Sequence, residues 1–118
     1  MTIMIYANST TVMDVLQYSW AKGVKFSVIV CETRPRNEGI EFAQTLSNLG
    51  ISVKLITDNC MAYALEKTDI VLVGAESVVE NGGIINRVGT YTLALCASVL
   101  KKPFYVLAES ILIIELNF

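Results

Sequence analysis

The 118-residue sequence contains no histidine. That removes the usual general base near neutral pH, and with it the Ser/His and Cys/His nucleophile systems. Cysteine is sparse: Cys31, Cys60 and Cys96 are an odd number without C-x-x-C spacing. Neither a disulfide framework nor a zinc site is expected, and the three read as reduced, packed thiols. Charge is also scarce, at 17% of residues with a net value of −2. Without a basic stripe to release counterions, direct binding to nucleic acid is not expected. No apolar run reaches the roughly 18–20 residues that span a bilayer. The start MTIMIYANSTT has no basic region followed by a long apolar one, so the chain reads as cytoplasmic, with no membrane partner. Absent too are G-x-G-x-x-G after the first strand and G-x-x-x-x-G-K-[ST], the main supports for dinucleotide and P-loop readings.

Apolar residues, by contrast, make up 53% of the chain. A typical domain has roughly 45–50% with Gly included, so disorder is excluded. One domain of this size buries about two thirds of its unfolded surface, and part of the surplus is expected at an interface.

Short β-branched runs at Ile3 to Tyr6, Phe26 to Val30, Val53 to Ile56, Ile70 to Val73 and Phe104 to Leu107 alternate with segments of helical period. Thr11 to Lys22 sets Val12, Val15, Leu16 and Trp20 on one stripe. Glu38 to Leu49 does so with Phe42, Ala43, Leu46 and Leu49. Gly23 and Gly50 follow as helix stops. A shorter helix is expected from Asn59 to Lys67. Thr90 to Lys101 is apolar nearly all round, with Lys101 and Lys102 at its negative end and Pro103 closing it, and is expected to be buried on more than one side. Continuous apolar strands separated by helices require a mostly parallel sheet covered on both faces. The fold class is therefore α/β, a doubly wound, Rossmann-like sheet in three layers, with strand order 3-2-1-4-5. Residues 1–110 form this domain. Residues 111–118 are an apolar tail, either an added strand or the truncated edge of something larger.

In such sheets ligands gather beyond the carboxyl ends of the strands, where strand order reverses. After strand one comes Asn8-Ser9-Thr10-Thr11, which either caps the first helix or touches a ligand anion. After strand two, Glu32-Thr33-Arg34-Pro35 sets a carboxylate and a guanidinium at the same edge, as an internal pair or as ligand contacts. Strand four is followed by a long loop, Gly74 to Thr90, with two acids, two amides, one cation and four glycines before Thr90. Loops of this length are usually functional. Asn86 and Arg87 precede a helix N-terminus, where amide, guanidinium and dipole converge on a phosphate. For Arg87 a solvated or interface role is the equal alternative.

The strings VGAESVVENGGIINRVGTYTLALCASVLKKPFYVLAES (Val73 to Ser110) and VIVCETRPRNEG (Val28 to Gly39) resemble the family of the regulatory subunits of eukaryotic translation initiation factor 2B, most of all its alpha subunits. The same fold family includes isomerases acting on methylthioribose 1-phosphate and ribose 1,5-bisphosphate. The resemblance covers residues 2 to 110 and implies the C-terminal Rossmann-like half of longer proteins, without their N-terminal helical domain. It implies that the isomerases pair a Cys after the first strand with an Asp in a GAD segment for proton transfer. Here Ala7 and Glu76 fall at those positions. A methyl group moves no proton, and a shift of about 1 Å costs on the order of 10²-fold in a positioned site. Glu76 is thus a vestigial catalytic candidate, and the chain is read as not an enzyme. Asn86 and Arg87 fall where the isomerases show Asn-Lys contacting the sugar phosphate, and Glu38 falls near a substrate-binding Gln. The candidate ligand- or phosphate-binding set is Asn8, Ser9, Arg34, Glu38, Asn86 and Arg87. No metal and no cofactor are expected; a sugar phosphate or nucleotide is the regulatory ligand the resemblance implies. The function implied is a regulatory and assembly subunit of the exchange factor for initiation factor 2. Its expected partners are the other factor 2B subunits and phosphorylated initiation factor 2, in a homo- or hetero-oligomer.

Overall fold

A computed structural model describes residues 1–6, 9–32, 38–74, 88–107 and 113–115. Strands β1 (Thr2–Ile5), β2 (Ser27–Cys31), β3 (Ser52–Ile56), β4 (Ile70–Gly74), β5 (Phe104–Leu107) and β6 (Ile113–Glu115) form one sheet in the order β3-β2-β1-β4-β5-β6. Neighbours among the first five pair in parallel, with Met4 opposite both Ile29 and Val71. Part of the apolar tail is an added strand: β6 runs antiparallel along β5, with Leu107 opposite Ile113 and Tyr105 opposite Glu115.

Period-2 alternation sends apolar side chains to both faces. Met4, Ile29, Cys31, Val71, Val73, Phe104 and Val106 form one core. Ile3, Ile5, Val28, Val30, Leu72 and Leu107 belong to the other. Helices α1 (Thr10–Ala21) and α2 (Glu38–Asn48) cover the second face. Helices α3 (Met61–Leu65) and α4 (Val88–Val99) cover the first. The three-layer, doubly wound architecture and the order 3-2-1-4-5 are as expected.

Helix ends are set by one recurring device. After α1 the Gly23 N–H donates to the Trp20 carbonyl and the Val24 N–H to that of Ser19. After α2 the Gly50 N–H donates to Ser47 and the Ile51 N–H to Leu46. Both are Schellman caps with glycine in the left-handed region, φ +93° and +89°. The end of α4 repeats the bonds, Lys101 to Ser98 and Lys102 to Ala97. There a lysine takes the left-handed position, at φ 58°.

Three expectations are corrected. The helix expected over 59–67 is a 3₁₀ turn, Asp58–Cys60, followed by the five-residue α3. Cys60 leaves helical geometry at φ −97°, ψ 1°, and Thr57 and Asn59 hydrogen-bond side chain to side chain at 2.7 Å, the local competition that shortens helices. The helix expected over 90–101 begins and ends two residues earlier, because Leu100 and Lys101 form its cap. Nor is α4 buried on several sides among the described residues. Leu93, Ala94 and Ala97 are buried, while Leu95 and Val99 are exposed, Val99 at 79%. The short α3 packs beside α4, and no described element overlies its outer face.

Candidate functional site

Strand order reverses between β1 and β4, which pair directly yet send their chains to opposite faces through α1 and α4. The crevice such a reversal opens lies at the carboxyl ends of the strands. The described residues arriving there are Tyr6 after β1, Cys31 and Glu32 closing β2, Thr57 and Asp58 after β3, and Gly74 closing β4. Ser9 and Glu38 enter the same edge at the starts of α1 and α2.

Ser9 is the N-cap of α1. Its backbone is extended at φ −128°, ψ 125°, and its Oγ accepts from the Val12 N–H at 3.3 Å. The Ser9 carbonyl accepts the first helical bond, from Met13, at 3.0 Å. Buried at 2% exposure, Ser9 takes the capping role that was one of its two readings.

Glu38 opens α2, with Glu41 also in the first turn, where the helix dipole favours carboxylates. Gly39 follows and fixes how α2 meets β2. Its N–H donates to the Glu32 carbonyl at 3.0 Å, and a Cβ built on it would overlap the Cys31 carbonyl oxygen. Only glycine lets the helix start this close to the strand end, which brings the first turn of α2 against the backbone of Cys31 and Glu32.

Burial pushes the Cys31 thiol up to about 12, and the neighbouring charge of Asp58 adds to the effect. Cys31 is therefore a neutral thiol at physiological pH, unsuited to act as a nucleophile. Asp58 escaped the sequence reading, although its place two residues beyond the last β3 residue was a usable signal. All three cysteines are free thiols, but Cys60 is exposed rather than packed, with its Sγ 3.2 Å from the Thr57 hydroxyl.

Ala7, Asn8, Arg34, Glu76, Asn86 and Arg87 lie outside the described residues. Of the candidate set, the structure thus places Ser9 and Glu38 on the carboxyl edge. Among the described residues no three His, Cys, Asp or Glu side chains are grouped as a metal site requires. No helix among them is long and apolar enough to cross a membrane.

Comparison with known proteins gives this geometry relatives. The profile of the Initiation factor 2 subunit family matches residues 1–116. Translation initiation factor eIF2B subunit alpha of Dictyostelium discoideum is 47% identical over 109 residues, which are 92% of this chain and 34% of that protein. Ribose 1,5-bisphosphate isomerase of Methanocaldococcus jannaschii is 38% identical over 109 residues, 92% of this chain and 35% of the enzyme. Among solved structures, the translation initiation factor eIF-2B of Pyrococcus horikoshii superposes with a TM-score of 0.81 at 32% identity, over 92% of this chain and 40% of that one. The chain spans about a third of the length of the curated relatives it matches.

Proposed function

Because the chain belongs to the initiation factor 2 subunit family, we propose that it is a non-catalytic regulatory and assembly domain of the translation initiation factor 2B complex, the guanine-nucleotide exchange factor for initiation factor 2. The observation that carries this reading is the 47% identity to an initiation factor 2B alpha subunit. The side-chain chemistry supports it. At the positions where the isomerases are understood to hold the Cys and the Asp of proton transfer, this sequence has Ala7 and Glu76. The exposed Leu95 and Val99 of α4 supply apolar surface of the kind that subunit contacts bury. The partners are the other factor 2B subunits and phosphorylated initiation factor 2, in the cytoplasm. No direct contact with nucleic acid or membrane is part of the proposal. Asn8, Arg34, Glu38, Asn86 and Arg87 would then serve a sugar phosphate or nucleotide as regulatory ligand rather than as substrate, while Ser9, as the cap of α1, leaves this set.

The test is a pulldown of the other factor 2B subunits, and of phosphorylated and unphosphorylated factor 2, with the tagged chain. Association with the subunits is expected; no association with any of them overturns the proposal.

A second reading, sugar-phosphate isomerase, is favoured by the 38% identity to a ribose 1,5-bisphosphate isomerase over the same span. In that reading Glu76 is the acid and another group replaces the thiol. Turnover of ribose 1,5-bisphosphate or methylthioribose 1-phosphate that Glu76→Gln abolishes would establish it in place of the first.

A further inference from the structure

The lysines are placed unevenly. Lys22 and Lys25 lie between α1 and β2, Lys67 between α3 and β4, and Lys101 and Lys102 between α4 and β5. Five of the six lysines of the sequence thus stand at the amino edge of the sheet, opposite the candidate ligand edge. The described acids divide differently. Glu66, Asp69 and the strand residue Glu115 are at the amino edge, whereas Glu32, Glu38, Glu41 and Asp58 gather toward the carboxyl edge. A chain whose net charge is −2 therefore carries a basic edge.

Lys22, Lys25, Lys67 and Lys101 are exposed and Lys102 is half-buried. Among the described residues, none of the five makes an ion pair. Three are turned to aromatic rings instead. Lys22 Nζ lies 5.4 Å from the Tyr18 ring centroid, Lys25 Nζ 4.6 Å from that of Trp20, and Lys67 Nζ 5.5 Å from that of Tyr63. A ring face attracts an ammonium group without neutralising it, so these three are positioned and still carry their charge. Asp69 is occupied elsewhere: its carboxylate accepts the Thr2 N–H at 2.7 Å, and its own N–H donates to the Thr2 carbonyl at 2.8 Å.

We propose that the amino edge is the docking surface for an extended, acidic segment of a partner protein, which lies across the strand starts and sets carboxylates against Lys25, Lys67 and Lys102. The spacing supports this. In the order β2-β1-β4-β5, three strand intervals of about 4.8 Å put the starts of β2 and β5 about 14 Å apart. Lys25 and Lys102 each stand two residues before those strands, and Lys67 stands three before β4. An extended chain advances about 3.4 Å per residue, so carboxylates at i, i+2 and i+4 share one face and span about 14 Å. The middle one then falls between the starts of β1 and β4. The backbone at the start of β1 is already bonded on both sides, to Asp69 and, through the Met1 carbonyl, to the Ser27 N–H at 2.9 Å. Side-chain charge is therefore what this edge offers. Nucleic acid fits less well, because the guanidinium that grips phosphate with two bonds is missing there: Arg34 and Arg36 follow β2 in sequence, and Arg87 precedes α4. The surface lies away from the carboxyl edge and does not depend on which reaction, if any, occurs there.

The experiment measures, by fluorescence anisotropy on the 118-residue chain, the binding of a labelled peptide of alternating Glu and Ser, and of the same peptide with Gln in place of Glu. The Glu peptide is expected to bind about tenfold more tightly, the sum of three surface pairs. It should lose that advantage at about 1 M salt, where charges are screened beyond about 3 Å. Lys25→Glu, Lys67→Glu and Lys102→Glu should each weaken binding about fivefold. Lys54→Glu, the same change of charge on β3, should alter it by less than about twofold. The three edge variants lie in separate loops, so two keep the test decisive if circular dichroism shows one unfolded. Equal binding of the Glu and Gln peptides overturns the proposal. An effect of Lys54→Glu as large as those of the edge variants also overturns it, since attraction by net charge alone would then suffice. So does an oligonucleotide of matched length that binds more tightly than the Glu peptide and is weakened by the same substitutions, which would give the edge to nucleic acid.

Discussion

Cys31 shows how a single residue at the carboxyl edge is shaped by what packs on it. Fully buried at the end of β2 and near Asp58, its thiol is raised from the ordinary 9.0 to about 12 by burial first and by the Asp58 charge second. Between those values the unfolded chain has released a proton that the folded chain still holds. This contribution to stability is therefore complete below about pH 9 and falls as pH rises toward about 12. Urea midpoints measured at about pH 8 and about pH 10 should decline, with Cys31 accounting for about 1 kcal/mol. Cys31→Ala should start lower, from the lost packing, but decline less steeply; an equal slope would show that Cys31 does not set it. Gly39 and Asp58 belong to the same scale. The place of Asp58 just beyond β3 was legible in the sequence, but the close approach at Gly39 and the charge Asp58 brings to a buried thiol were not, because both depend on how β2, β3 and α2 come together.

Among the elements, the strands and the two longer helices on the α1 face followed from periodicity, and their ends from glycine. Gly23 and Gly50 each take the left-handed cap that the sequence marks. The end of α4 differs because Lys101 adopts the same conformation without being the residue suited to it, and no sequence signal distinguishes such a lysine. A left-handed non-glycine residue costs about 1–2 kcal/mol, so Lys101→Gly is expected to raise stability by about 1 kcal/mol, measured as a higher denaturant midpoint with unchanged slope. The bonds of Lys101 and Lys102 to Ser98 and Ala97 should persist in the variant. A loss of stability would mean that the lysine side chain contributes more than its backbone costs. The α3 region was misjudged for a related reason: the local bond of Thr57 to Asn59 competes with helix in a segment too short to resist it.

For the whole molecule, the apolar surplus separates into what this chain buries and what it leaves outside. Leu93 and Val99 lie on one helix, at 0% and 79% exposure. Leu93→Ala should cost about 2–5 kcal/mol by denaturation. Val99→Glu should stay within about 0.5 kcal/mol yet weaken capture of the other subunits in the pulldown. Equal destabilisation by the two would place the outer face of α4 in the chain's own core. The sequence by itself determined the α/β class, the strand order, the family and the surplus, because alternation, period, turn residues and motif strings are local and survive in the linear text. Only the tertiary structure decided which face of α4 is covered, that part of the tail pairs with β5, that Ser9 caps α1, and that five lysines far apart in sequence share the amino edge of the sheet. These are products of chain segments far apart in sequence being packed together, and side-chain burial and charge proximity exist only once that packing is made.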